Sequence, residues 1–97
     1  MFRHVVLLRW KPDASVGQRE MVLEGLAGLP AQIPEIRGYR FGADAGVSPG
    51  NHDLAVVADF DDVEAYLVYR DHPAHRSVID ERIAPILAAR AAVQHEL

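Results

Sequence analysis

A chain of 97 residues fits one domain, residues 1–97, and a domain this short is marginally stable alone, so oligomerisation is its simplest reinforcement. It has no cysteine, which removes disulfides and thiolate metal sites and accords with a cytoplasmic setting. The net charge is −4, with no clustered Lys or Arg to neutralise phosphates, and no stretch approaches the ~20 apolar residues of a membrane span, so neither nucleic acid nor membrane is an expected partner.

Residues 2–10 read as a first strand. Phe2, His4, Val6, Leu8 and Trp10 share one face, and Arg3, Val5, Leu7 and Arg9 the other. The run is too short and interrupted for a signal peptide. Lys11-Pro12-Asp13-Ala14 breaks it. Ser15 then opens a helix, with Gln18 completing a capping box and Val22, Leu26 and Leu29 forming its apolar stripe. Pro30 and Pro34 are expected to end that helix in a short turn.

Ile36 to Gly42 reads as a second strand, Ala43 to Asp53 as a glycine-containing loop, and Leu54 to Phe60 as a third strand. The near-continuous apolar run of the third strand predicts cover on both faces. Asp61 is expected to cap the next helix with Glu64. Pro73 suits the first turn of another, along which His75, Val78, Ile79, Ile83 and Ile86 recur at helical spacing. Pro85 should end or kink it, and Ala91 to Leu97 is the expected fourth strand.

The order β-α-β-β-α-β predicts an α+β, ferredoxin-like fold with an antiparallel sheet and both crossover helices on one face. Val5, Leu7 and alternate residues of 54–58 would then line a bare face. Leaving each Val or Leu in water forfeits about 1.5–3 kcal/mol, which a second copy presenting the same face would recover. A homodimer is the expected assembly.

The segments His4-Val5-Val6-Leu7-Leu8-Arg9-Trp10-Lys11, Leu29-Pro30-Ala31-Gln32-Ile33-Pro34 and, above all, His72-Pro73-Ala74-His75 resemble the Dabb family, the stress-responsive dimeric α/β-barrel domain. The resemblance runs over almost the whole chain. It implies two ferredoxin-like sheets packed face to face, in a family that includes plant polyketide cyclases. By the pattern of those cyclases, His4, Tyr69 and His75 would line a catalytic pocket between sheet and helices. The sequence departs from that pattern at Leu54, where the cyclases have a histidine (His52 lies two residues earlier), and at Leu26, where they have a tyrosine.

Taken alone, His4 reads as a histidine satisfied at a sheet edge, and His75 as a core histidine on an apolar helix face. The resemblance makes His4 a group that polarises a ligand carbonyl. It makes His75 a general base, with Tyr69 an oxyanion donor. Val6, Leu26, Tyr66, His72 and Ile79 are the expected ligand-binding lining. His72 and His75 have HxxH spacing, but without a paired carboxylate and with His72 suited to capping, no metal is expected, and no cofactor. The functional expectation is a stress-responsive homodimer with a pocket for an apolar or aromatic small molecule and cofactor-free, cyclase-like acid/base chemistry. One alternative is a non-enzymatic, stress-associated or ligand-sensing dimer. Another, by fold analogy, is a cofactor-independent monooxygenase.

Overall fold

The computed structural model describes residues 1–97. Four strands, β1 (Phe2–Trp10), β2 (Gly38–Ala43), β3 (Leu54–Phe60) and β4 (Leu87–Glu96), form one sheet in the order β2-β3-β1-β4. All neighbours are antiparallel. The helices are α1 (Val16–Ala27), the one-turn α2 (Leu29–Gln32), α3 (Val63–Asp71) and α4 (Pro73–Val78). The fold is ferredoxin-like.

Each sheet face follows from the period of two. Phe2, Val6, Leu8 and Trp10 of β1 and Leu54, Val56, Ala58 and Phe60 of β3 are buried beneath the helices. From above, Val22, Leu26, Leu29, Ile33, Tyr66, Tyr69, Val78, Ile83 and Ile86 complete one continuous core. The opposite face is uncovered in the single chain. The register sets Val5 between Val57 and Val93, and Leu7 between Ala55 and Ala91. Leu7 is 38% exposed and Val93 64%. Arg3 crosses this face to grip Asp59 through two hydrogen bonds, at 2.7 and 2.9 Å.

The capping box at α1 forms as its spacing predicts: Gln18 N–H donates to Ser15 Oγ, and Ser15 N–H to Gln18 Oε1. Four local expectations need correction. Pro30 does not end a helix. It sits in the first turn of α2, where its missing N–H costs no hydrogen bond. The cap of α3 is Asp62, which accepts from Ala65 N–H at 2.8 Å, because the neighbouring Asp61 is engaged by Arg37. β2 runs from Gly38 to Ala43 rather than from Ile36. β4 starts at Leu87, four residues before Ala91, because its alanine-rich start pairs with β1 through Trp10↔Leu87 and Arg9↔Ala89.

Beyond α4 the chain widens into a π-helical turn, Ile79–Ile83, then tightens into a 3-10 turn, Ala84–Ile86. Pro85 accounts for the irregularity: its ring clashes with the carbonyl four residues back, and it has no N–H to give. The wide turn sets Ile83 in the core with Ile79 packed against it, and π-turns of this kind gather at functional sites. No helix is long and apolar enough to cross a membrane.

Candidate functional site

A cavity of about 300 Å³ lies between the inner sheet face and the helices. That volume is at the small end of the range for ligand pockets, roughly 300–1,000 Å³. His4, Tyr69 and His75 all line it, as do Val6, Leu26, Tyr66 and Ile79. His72 does not. Its Nδ1 accepts from Ala74 N–H at 3.0 Å and caps α4, so its ring serves the helix start.

β1 places His4 in the apolar row between Phe2 and Val6, where it is buried at 5% exposure. Register places Gln94 of β4 directly opposite. The Gln94 amide nitrogen donates to His4 Nδ1 at 3.0 Å and to the Tyr66 hydroxyl at 3.1 Å. A ring nitrogen that accepts holds no proton in neutral imidazole, so the proton of His4 resides on Nε2. Burial above all, then the positive charge of Arg90 and the proximity of a second titratable ring in His75, lowers the His4 pKa to about 4. His4 is therefore a neutral hydrogen-bond donor at ordinary pH.

His75 has the opposite tautomer. Pro73 at the first position of α4 and the His72 cap start that helix, and helical spacing turns His75 toward the sheet. Its Nδ1 lies 3.0 Å from the Arg70 carbonyl, which only accepts. The proton is on Nδ1, and Nε2 carries the free lone pair. Burial lowers this pKa as well. Both residues line the cavity, and neither Nε2 has a hydrogen-bond partner within the protein. One cavity thus presents a neutral donor and a neutral acceptor.

The tyrosines brace these rings. Tyr69 stacks on His75 with centroids 4.0 Å apart, and Tyr66 lies 4.9 Å from His4. The Tyr69 and Tyr39 hydroxyls share a hydrogen bond of 2.9 Å. Burial pushes Tyr39 up to about 12 and Tyr69 upward too, so both phenols keep their protons. Tyr39, Gln94 and Arg90 are cavity neighbours that sequence reasoning passed over. Their signal was parity: Tyr39 alternates in phase with Phe41, and Arg90 and Gln94 are four apart on the inner face of β4.

The two departures from the cyclase pattern lie in different places. Leu26 lines the cavity as an apolar wall. Leu54 is core, 3% exposed, and His52 opens onto a shallow groove beside Leu7 and Asn51, apart from the cavity. The His72–His75 pair does not converge, and no group of three His, Asp or Glu side chains gathers anywhere.

Comparison with known proteins agrees with this architecture. The family description "Stress responsive A/B Barrel Domain", Dabb, matches residues 2–96. The chain belongs to the Dabb family. A stress-response A/B barrel domain-containing protein of Arabidopsis thaliana, At5g22580, is 26% identical over 109 aligned positions, covering 95% of this chain and 92% of that protein. A Thermobifida fusca crystal structure, described as a dimeric ferredoxin-like protein, is 48% identical with a TM-score of 0.92, covering 99% of this chain and 90% of that one. A Passiflora edulis hydroxynitrile lyase superposes with a TM-score of 0.84 over 97% of this chain and 90% of its own. At 20% identity, that likeness is one of fold.

Proposed function

We propose that this Dabb domain is a homodimer whose cavity binds a small, oxygenated, largely apolar molecule and moves a proton within it without a cofactor. The observation that carries the reading is the tautomer pair. His75 Nε2 offers a lone pair and His4 Nε2–H offers a proton, both into one cavity. Of the 15 lining residues, 10 are hydrophobic, so water competes poorly for either group.

The pair suits chemistry next to a carbonyl. His75 Nε2 takes a proton from the carbon beside the carbonyl, and the C–H electron pair becomes the enolate. The His4 Nε2–H stabilises the oxygen on which the charge gathers, and the Tyr69 phenol, which lines the same cavity beside His75, is a second donor. The imidazolium of His75 then returns its proton to the product, which balances the step. A depressed His75 pKa keeps the base form available at neutral pH.

Dimerisation rests on the uncovered face. Val5, Leu7, Ala55, Val57, Ala91 and Val93 form an apolar patch on one side of the sheet. The 48% identical Thermobifida fusca protein is described as dimeric. A two-fold mate presenting the same patch makes an isologous interface.

A thermal-shift screen of aromatic and alkyl-phenolic compounds tests the pocket. The expected result is a set of ligands that raise the melting temperature of the wild type and lose most of that effect on His4→Ala and His75→Ala. Ligands that stabilise all three proteins equally would place the site elsewhere. Binding without turnover of any ligand would leave a ligand-sensing dimer in place of an enzyme.

A further inference from the structure

We infer that the ligand of this cavity carries a carboxylate, which Arg90 receives; this rests on the cavity being a ligand site, as proposed above. The first observation is the charge of the wall. Arg70, Arg76 and Arg90 line the cavity and no aspartate or glutamate does, although the chain as a whole carries −4. Acidic side chains are plentiful in this protein and are kept off this surface.

The second observation separates the three arginines. Arg70 is neutralised by Asp71 at 2.9 and 3.0 Å, and Arg76 has Asp80 at 3.6 Å. Arg90 has neither an ion pair nor a side-chain hydrogen bond. Its guanidinium remains near enough to His4 to disfavour a charge on that ring. A guanidinium with a free planar fork, beside a cavity with mostly apolar walls, matches the two oxygens of a carboxylate.

The register also orients the ligand. Arg90 lies opposite Leu8, and Gln94, the partner of His4, lies four residues further along the same face. At strand rise that is about 13 Å between backbone positions. Val6 flanks the intervening stretch on the sheet, and Ile79 and Ile83 border the same space from the helices. The ligand is thus an acid at one end and a carbonyl at the other, joined by an apolar body.

Isothermal titration of the full-length protein with a panel of aryl and arylalkyl carboxylates, each paired with its neutral carboxamide, tests this. At least one acid should bind about tenfold or more tightly than its amide, the scale of a charge-assisted hydrogen bond. In Arg90→Gln that preference should collapse while amide affinity holds, and in Arg90→Lys part of it should return. Added salt should weaken the acid and spare the amide. Acids and amides binding alike to the wild type, or a preference that survives Arg90→Gln, would overturn the inference and leave the pocket standing. A wild type that binds neither set would overturn both.

Discussion

Burial favours the neutral form of both cavity histidines, and that has a thermodynamic consequence. The His4 pKa falls from 6.5 to about 4 on folding, so the unfolded chain takes up a proton before the folded one does. The stability this neutral ring contributes is present above pH 6.5 and is lost as pH falls toward 4. Between pH 7.5 and pH 5, linkage gives a loss of about 2 kcal/mol from His4. The His75 shift adds in the same direction. Urea denaturation at the two pH values checks this, and His4→Asn should flatten the pH dependence. A second residue-scale expectation concerns Tyr69, whose hydroxyl meets Tyr39 at 2.9 Å. Tyr69→Phe leaves the half-buried Tyr39 phenol without its hydrogen-bond partner and should cost about 1–2 kcal/mol in the same assay.

At this scale the sequence located the residues whose reach is local. His75 follows from helical spacing after Pro73, and the capping role of His72 follows from its place before that proline. The partners were illegible for a physical reason. Gln94 is 90 residues from His4 and Tyr39 is 30 from Tyr69, and each pairing depends on a strand register that no local pattern encodes. Arg90 was hidden among alanines, in a stretch whose composition does not announce a strand.

At the scale of elements, β1 and β3 were readable because both of their faces carry apolar residues, whereas β4 was readable only at its end. The boundary of α3 slipped by one because two aspartates stand together, and only the position of Arg37 decides which one caps. The α1 cap is unambiguous. Ser15→Ala should cost about 1 kcal/mol of stability by thermal denaturation. The packing of α1 on the π-turn is tighter than helix propensity alone would show. A Cβ on Gly25 would lie 2.9 Å from Arg82 Cδ and 3.2 Å from Val78 Cγ2. Arg82 is itself tied to the Met21 carbonyl at 2.7 Å. Gly25→Leu should therefore destabilise the fold by about 1–3 kcal/mol through overpacking and displace the turn that carries Ile79 and Ile83. Loss of ligand binding together with stability would mark that turn as part of the cavity wall.

For the molecule as a whole, the sheet divides the labour: its covered face holds the cavity, and its open face is the surface proposed to meet a second copy. The open face was legible in the sequence, since Val5 and Leu7 alternate with residues that the core requires. Leu7→Glu, placed at the centre of the patch, should shift the protein toward monomer in sedimentation velocity. His4 and His75 lie on the other face, so their neutral state should survive in that variant. The proposed chemistry requires the two rings to be neutral and oppositely protonated. Long-range proton–nitrogen correlation NMR of ¹⁵N-histidine protein at pH 7 reads this directly. It should show His75 protonated on Nδ1 and His4 on Nε2, neither of them an imidazolium. Both rings in the same tautomer, or either one carrying two protons at that pH, would contradict the acid/base pairing on which the proposed chemistry rests.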